Sequence, residues 1–211
     1  MFLDLSLYQS LNSYPLLIPR LYNYIRTLIL PLQKIAQKVP KNGMILDVGC
    51  GYGLLDIYLA QTSQFRNIVG SELNEKRVEF ASVAATKLDL SNVSFVSQDL
   101  VQSDHHNQFD CIILVDLLHH ISLVKQQRLI SAAYLLLKKG GKLIIKDLDN
   151  QPAFKFYWNL IHDKLMTSFD KLYFRNSQEL AKEIEQQGFI VEHQNISNFF
   201  YAHHIFVCEK Q

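Results

Sequence analysis

Cysteine is scarce in this chain, and neither sign of charge is in excess. The three cysteines, Cys50, Cys111 and Cys208, are widely spaced and form no CxxC pair. That pattern argues against a disulfide framework or a zinc site and predicts a protein of the reducing cytoplasm. Lys and Arg number 21 against 20 Asp and Glu. Because this balance gives no basic footprint for a phosphate backbone, we expect no nucleic-acid partner.

Long apolar runs are also missing. No stretch approaches the ~20 residues that span a bilayer, and the N-terminus, "MFLDLSLYQSLNSYPLLIPR", lacks the basic region and cleavage site of a signal peptide. We therefore expect a soluble protein without a transmembrane segment, with peripheral membrane contact left open. Repeats and low-complexity tracts are absent as well. The sequence leaves the oligomeric state open.

Regular alternation of two kinds of segment is the main pattern that is present. From Met44 onward, apolar runs typical of strands alternate with segments of helical periodicity. Such alternation predicts an α/β fold with a doubly wound, mostly parallel sheet and helices on both faces. Asn74 and Ser122 are the expected N-caps of two helices, and Gly140 and Gly188 are expected to end helices. The last two strands, "FIVEHQNIS" and "FFYAHHIFVCEK", are expected to form an antiparallel hairpin.

The length and composition predict one domain, residues 1–211. Its N-terminal part, which Pro15, Pro19 and Pro31 interrupt, is expected to form short helices packed on the remainder. The expected segments are an N-terminal helical cap (1–40), a core (41–149), an aromatic insert (150–176), and a last helix with the terminal hairpin (177–211).

The glycine-rich stretch "ILDVGCGYGLLDIYLA" lies between a predicted strand and a predicted helix. Glycine there permits a positive φ and a close approach of a ligand, and Gly49, Gly51 and Gly53 are expected to present backbone N–H groups at the helix N-terminus. A dinucleotide fingerprint, GxGxxG, would have its third glycine at position 54, where this chain has leucine. Asp47 can hold an ammonium group. The pattern therefore favours an amino-acid-bearing ligand over a pyrophosphate.

Acids follow the next two predicted strands. Glu72, about 20 residues after the loop, is expected to accept hydrogen bonds from ribose hydroxyls. Asp99 is expected near an adenine amino group, with Leu73 and Leu100 on the two faces of the ring. Structural alternatives stay open: Asp47 could cap local N–H groups, Glu72 could be the N-terminal acid of the following helix, and Asp99 could serve a turn.

The ordered motifs "LDVGCGYG", "VGSELNEKRVEFA", "VSFVSQDL", "FDCIILVDLLHHI" and "LKKGGKLIIKD" resemble those of class I S-adenosylmethionine-dependent methyltransferases, in particular the small-molecule branch that acts on quinones, lipids and polyketides. The resemblance implies a Rossmann-like sheet of seven strands whose last strand is antiparallel. It implies S-adenosylmethionine as cofactor and S-adenosylhomocysteine as product. The implied cofactor residues are Asp47, Gly49, Cys50, Gly51, Gly53, Glu72, Leu73, Asp99, Leu100 and Asp116, the last at the methyl end.

Catalytic and substrate residues are less well defined. His119 and His120 follow the fourth strand, and Asp116, Leu118 and His120 match the acid–x–Leu–x–His pattern of the family. Either histidine could act as general base or merely hold the loop. Candidates for acceptor binding are Asp147, Tyr157, Trp158 and His162, the last three within the aromatic insert that covers the acceptor pocket in this family. Ordinary core packing is the alternative for the aromatic residues. No third ligand accompanies any histidine pair, so we expect no metal.

The predicted activity is methyl transfer to a small, apolar acceptor (lipid-, quinone- or polyketide-like) by in-line displacement at the sulfonium methyl. Positioning in a desolvated pocket can supply most of the acceleration. Two alternatives are an NAD(P)-dependent oxidoreductase on a similar fold and a non-catalytic methyltransferase-like binding subunit. The missing third glycine argues against the first, and the intact loop argues against the second. Whether oxygen, nitrogen or carbon receives the methyl group stays open.

Overall fold

A computed structural model describes residues 4–99, 106–148, 172–196 and 202–211. The helices in these ranges are α1 (Leu5–Ser13), α2 (Leu17–Ile29), α3 (Leu32–Ala36), α4 (Leu54–Thr62), α5 (Glu75–Lys87), α6 (Leu123–Leu136) and α7 (Ser177–Gln186). The strands are β1 (Gly43–Val48), β2 (Arg66–Ser71), β3 (Val93–Val96), β4 (Phe109–Val115), β5 (Leu137–Leu148), β6 (Phe189–Asn195) and β7 (His203–Lys210). A 3₁₀ turn, Leu118–His120, follows β4.

The seven strands are hydrogen-bonded in the order β3-β2-β1-β4-β5-β7-β6. β1 pairs with β2, and β2 with β3, in parallel. β7 runs antiparallel to both β5 and β6. The predicted seven-stranded α/β sheet with an antiparallel last strand is therefore confirmed, and so is the terminal hairpin.

The chain forms two compact units, of which the first comprises Met1–Ser103 and Phe109–Cys111. Helix α4 of this unit is buried at every position from Leu54 to Ala60 and packs against β2 and β3. Of the N-terminal helices, α1 contacts α4 and α5, and α3 contacts α4. Tyr14 donates its hydroxyl to the Tyr52 carbonyl at 2.8 Å, which ties the start of the chain to the glycine loop.

The second unit comprises Asp104–Gln108 and Ile112–Gln211. Its sheet is held by the antiparallel register of β5 and β7, in which Asp147 lies opposite His204. Asn176 caps α7 by accepting the Gln178 and Glu179 amides. Gly188, at φ +98°, ends α7 as predicted.

Helix α6 ends earlier than the sequence predicts. Ser122 is its N-cap as expected, although within the described residues its side chain makes no capping hydrogen bond. The helix stops at Leu136, so the prediction that Gly140 is its C′ residue is wrong. The carbonyls of Leu135 and Leu136 accept the amides of residues 107 and 108 at 3.0 and 2.8 Å. Because those carbonyls are satisfied by another segment, the helix needs no glycine cap.

One further boundary differs from the prediction. Pro19 does not interrupt a helix but occupies the first turn of α2, where its missing N–H costs nothing. Asp147 lies within β5. Asn74 is the N-cap of α5 as predicted, and its side chain accepts the Arg77 amide at 3.2 Å. The single-domain organisation stays a prediction, as does the insert as a pocket cover, since residues 149–171 lie outside the described residues.

Candidate functional site

The glycine loop turns from β1 into α4 with Gly49, Gly51 and Gly53 all at φ between +61° and +75°. Their amides are engaged within the protein. Gly49 N–H donates to the Ser71 carbonyl at 2.7 Å, and Gly53 N–H to the Cys50 carbonyl at 3.0 Å. Gly51 N–H donates to the Glu72 carboxylate at 3.1 Å. In this structure the three amides therefore have acceptors within the protein, and their presentation to a ligand stays a prediction.

The space around two of these glycines differs sharply. A Cβ at Gly53 would lie 2.4 Å from the Phe95 ring, so packing alone requires glycine there. A Cβ at Gly51 would meet no heavy atom within 4 Å in the described part of the chain. Packing therefore does not explain Gly51. The bare backbone at this position leaves an open surface that a ligand can approach closely.

Glu72 follows β2 and binds the loop directly. Its Oε2 accepts from the Gly51 amide and its Oε1 from the Asn74 amide at 3.0 Å, while Arg77 lies 3.7 Å from Oε2. An ionised carboxylate has about four acceptor positions. Two backbone bonds leave capacity for ligand hydroxyls, so the predicted ribose contact is compatible with a role of Glu72 at the N-terminus of α5.

Asp47, at the end of β1, meets a second acid that the sequence reading did not select. Asp47 is 3% exposed and Asp56, in the first turn of α4, is 0% exposed. Both carboxyl oxygens of Asp56 are buried without a hydrogen-bond partner among the described residues. Burial first, then the charge of Asp47, raises the pKa of Asp56 well above its ordinary value. Burial also raises the pKa of Asp47 to about 7, against an opposing effect of Arg26.

Other polar groups surround this acid pair. Burial, followed by the charges of Asp56 and Asp47, raises the pKa of the Cys50 thiol, so the thiol is protonated and Cys50 is a poor nucleophile. Burial likewise raises the pKa of Tyr14. The Nδ2 of Asn23, on α2, is buried without a hydrogen-bond partner among the described residues.

The other predicted cofactor residues lie as follows. Leu73 is 73% exposed and Asp99 is exposed beyond the end of β3. Asp116 has φ +53°, and its carboxylate forms an ion pair with the buried Lys146 of β5. Leu100 lies outside the described residues. The roles of these residues stay predictions.

In the second unit, the structure pairs two residues that the sequence reading had treated separately. The Nδ1 of His119 contacts the Asp147 carboxylate, and both residues are buried. The His119 amide also donates to Asp147 at 3.3 Å. The His119 ring stacks on Phe174 with centroids 5.5 Å apart. An acid that accepts from Nδ1–H leaves the acceptor lone pair of the neutral ring on Nε2. This is the orientation a general base requires.

A hollow beside this pair has a volume of about 310 Å³, including space open to solvent. Its wall includes His119, Asp147, Tyr173, Arg175 and His204. His120, the other candidate base, is half-buried next to His119, with ring centroids 4.1 Å apart. The candidate acceptor residues Tyr157, Trp158 and His162 lie outside the described residues.

The sequence interpretation did not select two buried charged residues, although each of them lies within an otherwise apolar segment. Asp56 interrupts the wholly apolar helix "LLDIYLA", and Lys146 interrupts the apolar strand "LIIKDL". A charged residue inside a fully buried element is rare unless it is paired. Such an interruption therefore indicates a polar neighbour. Lys146 forms an ion pair with Asp116, and Asp47 is near enough to Asp56 to raise its pKa.

The parallel sheet, the GxGxG loop and the acid after β2 define the class: the predicted membership of the class I S-adenosylmethionine-dependent methyltransferases is confirmed. The sequence profile of the family described as "Methyltransferase domain" matches residues 21–194. The chain belongs to this methyltransferase domain family.

Individual relatives cover parts of the chain. A ubiquinone biosynthesis O-methyltransferase of Coxiella burnetii is 32% identical over 128 residues, which are 60% of this chain and 52% of that protein. N-methyltransferase 4 of Papaver somniferum is 27% identical over 130 residues, 61% of this chain and 33% of that protein. The chain thus spans about half the length, or less, of these curated relatives.

Among solved structures, magnesium protoporphyrin IX methyltransferase of Synechocystis, with bound S-adenosylhomocysteine, has a TM-score of 0.67 at 23% identity. The match covers 91% of this chain and 84% of that one. The same protein is also known with bound S-adenosylmethionine. These matches establish the fold and do not favour an oxidoreductase. No helix in the described ranges has the length and apolar character of a membrane-spanning segment.

Proposed function

We propose that this protein transfers a methyl group from S-adenosylmethionine to a hydroxyl of a small, apolar acceptor, with His119 as the general base. The observation that carries the donor part is the open backbone at Gly51 beside the Glu72 carboxylate. The observation that carries the acceptor part is the buried contact between His119 and Asp147.

The residues of the first unit fit S-adenosylmethionine. Gly51 leaves room for the ligand, Glu72 has acceptor capacity for the ribose hydroxyls, and Asp47 is an acid suited to the ammonium group. When bound, S-adenosylmethionine supplies an electrophilic methyl group on a sulfonium. We propose the remaining cofactor contacts at Gly49, Cys50, Gly53, Leu73, Asp99, Leu100 and Asp116 as the resemblance implies.

The His119–Asp147 pair supports a hydroxyl acceptor. A hydroxyl group becomes a good nucleophile only when its proton is taken up, whereas an uncharged amine already offers a lone pair. Asp147 orients the His119 ring and stabilises it when it gains that proton. Asp147 thereby acts as a positioning residue rather than as the substrate contact first expected.

An aromatic or lipid-like hydroxyl acceptor agrees with two features. The Coxiella relative is named for ubiquinone biosynthesis and O-methylation. The aromatic insert, with Tyr157, Trp158 and His162, would supply an apolar wall.

The nearly balanced charge supports a small acceptor over a nucleic acid. Three free thiols support the proposed cytoplasmic location.

The test is a transfer assay with methyl-labelled S-adenosylmethionine and matched acceptors that carry either a phenolic hydroxyl or an amine on the same apolar ring. We expect label on the phenol and none on the amine. Binding of S-adenosylhomocysteine and of NAD is measured in parallel by calorimetry.

Three results would contradict the proposal. Label on the amine alone would remove the need for a base. Binding of NAD without binding of S-adenosylhomocysteine would favour the alternative function, an NAD(P)-dependent oxidoreductase. Binding of neither nucleotide at millimolar concentration would favour a non-catalytic binding subunit.

A further inference from the structure

Helix α2 presents its apolar residues to the outside of the protein. Positions i, i+4, i+7 and i+11 lie on one side of a helix, and counted from Leu17 they are occupied by Leu21, Tyr24 and Leu28. The four side chains are between 48% and 75% exposed. We call these four residues the apolar stripe. A surface helix of a globular protein normally turns such a stripe towards the core, so its outward position requires an explanation.

The polar residues of α2 lie on the opposite side, against the protein. Asn23 is buried, and Arg26 donates to the Tyr22 hydroxyl at 3.2 Å. The Tyr22 ring meets the ring of Tyr52 in the glycine loop edge to face, with centroids 5.2 Å apart. The helix is therefore amphipathic in the reverse sense, because its polar side packs inward and its apolar side faces outward. Packing within the described residues does not explain the apolar stripe, whereas contact with an apolar partner does.

The neighbouring helix adds apolar surface of its own. Helix α1 packs against α2 and exposes Leu5 and Tyr8, which are one turn apart. The apolar stripe runs along the whole of α2, and its only polar side-chain group is the Tyr24 hydroxyl. Leucine with tyrosine in this proportion suits the boundary between an apolar medium and water, where the ring is buried and the hydroxyl stays wet.

The segment that carries the apolar stripe has positive charges only. Residues 5–46 contain no Asp or Glu, while the other 16 of the 21 basic residues share the rest of the chain with all 20 acidic ones. The near balance of charge in the whole chain thus hides a local excess of positive charge. The five basic residues of the segment are Arg20, Arg26, Lys34, Lys38 and Lys41. The three lysines, which follow α2 along the chain, are exposed.

This charge distinguishes between the possible partners of the apolar stripe. In a symmetric contact between two copies of the chain, the same surface meets itself, so the basic segments of both copies would repel each other. An anionic lipid bilayer offers an apolar interior for the stripe and negative charge for the lysines. Both features of the segment are therefore complementary to an anionic membrane surface.

We propose that the apolar stripe of α2 docks on the surface of an anionic lipid bilayer, and that Lys34, Lys38 and Lys41 add electrostatic attraction. Helix α2 has 13 residues, fewer than the ~20 needed to span a bilayer, so it lies along the interface with the stripe turned into the lipid. The inference does not rest on the proposed function, because docking needs neither the cofactor nor the acceptor.

Flotation of the whole protein with lipid vesicles tests the proposal without any variant. One set of vesicles contains phosphatidylcholine alone, and the other contains equal parts of phosphatidylcholine and anionic phosphatidylglycerol. We expect binding to the mixed vesicles to be at least about tenfold tighter, since each lysine near an anionic surface adds attraction. High salt should weaken that binding. Binding to neither vesicle would overturn the proposal, and equal binding to both would contradict the role of the lysines.

A pair of leucine variants tests the apolar stripe. Leu17→Gln with Leu28→Gln changes the first and the next-to-last residue of α2, and binding to the mixed vesicles should weaken at least about tenfold. Leu123→Gln with Leu135→Gln changes the same two positions of α6 and is the matched control, which should bind normally. All four leucines are more than half exposed, so both proteins should fold. An equal loss in the two variants would show that the stripe is not the docking surface.

A second pair of variants tests the positive charge. Replacing Lys34, Lys38 and Lys41 by glutamine should weaken binding to the mixed vesicles at least about tenfold and leave weak binding to phosphatidylcholine unchanged. The control replaces three other exposed lysines by glutamine and removes the same net charge: Lys125, Lys139 and Lys182. An equal loss in both triple variants would show that net charge, and not this segment, determines binding.

Sedimentation velocity and calorimetry separate docking from the alternatives. A dimer that does not bind vesicles, and that dissociates when Leu17 and Leu28 are replaced, would assign the apolar stripe to a second copy and overturn the proposal. The leucine variant of α2 should keep its affinity for S-adenosylhomocysteine, which shows that docking and cofactor binding are separate. If the wild-type protein binds vesicles but not S-adenosylhomocysteine, the proposed function has failed and the docking inference stands.

Discussion

At the scale of single residues, the functional loop depends on two glycines that are required for different reasons. Gly53 is enclosed by Phe95, whereas Gly51 faces open space. Substitution can therefore separate a structural glycine from a ligand-binding one, although both have positive φ.

Gly51→Val should abolish binding of S-adenosylhomocysteine while the protein stays folded. The branched side chain fills the space of the ligand, and the positive φ costs about 1–2 kcal/mol of unfolding free energy. Gly140→Val is the matched control, since Gly140 also has a positive φ (+74°) and open surroundings. Calorimetry should show normal affinity for the control, and urea unfolding should show a similar loss of stability in both. Near-normal affinity in a folded Gly51→Val protein would contradict the site.

Asp56→Asn should stabilise the ligand-free protein at pH 7.5. Burial keeps the carboxyl of Asp56 protonated in the folded state through a raised pKa, while in the unfolded chain it ionises. The folded state thus holds more protons, and the wild-type protein loses stability as pH rises above the unfolded pKa of about 4. The variant has no such loss, so its advantage should be roughly 1–3 kcal/mol at pH 7.5 and smaller at pH 5. Urea unfolding at the two pH values measures it; an advantage that grows toward pH 5 would show that the sign is wrong.

At the scale of elements, the 3₁₀ turn after β4 is the piece that places His119. Gln126 of α6 donates through Nε2 to the carbonyls of Leu118, Ile121 and Tyr173, at 2.8, 3.1 and 3.1 Å. Tyr173 N–H in turn donates to the His119 carbonyl at 2.8 Å. The turn is therefore fixed by a helix on one side and by the segment before α7 on the other, and β5 supplies Asp147.

His119→Asn should lower kcat by about 10²–10⁴-fold, because the general base is lost. Asp147→Asn should lower it less, since the ring remains but loses its orienting carboxylate. Neither change should alter the affinity for S-adenosylhomocysteine. Single-turnover transfer and calorimetry separate the two effects, with the exposed His106→Asn as control. A larger loss of kcat in His120→Asn than in His119→Asn would identify His120 as the general base instead.

The contact between β3 and the start of α4 is a second element-scale feature. Gly53→Ala should cost about 1–3 kcal/mol of stability through overpacking against Phe95, in addition to its backbone strain. Phe95→Leu in the same chain should recover part of that loss. A double-mutant cycle by urea unfolding measures the coupling. A coupling energy of zero would show that the Phe95 ring does not restrict the side chain at position 53.

For the whole molecule, the local patterns of the sequence predict the order of strands and helices, the glycine loop and the acids at the ends of β1 and β2. Strand alternation and loop composition are short-range signals, and the family resemblance implies the seven-stranded sheet with its antiparallel last strand. The pairing of His119 with Asp147 and of Asp116 with Lys146 joins residues distant along the chain. Pairing of this kind depends on the register of the folded sheet, which periodicity does not report. The end of α6 was missed for the same reason, since its carbonyls are satisfied by residues 107 and 108.

The central claim is that the bare backbone at Gly51, flanked by Asp47 and Glu72, forms the binding site of a sulfonium nucleoside. A crystal structure of the protein grown with S-adenosylhomocysteine tests it most directly. The claim predicts that the ribose hydroxyls lie within hydrogen-bond distance of the Glu72 carboxylate, with the amino group at Asp47. Density for the ligand elsewhere, or a loop that stays closed by the protein's own side chains at saturating ligand, would contradict it.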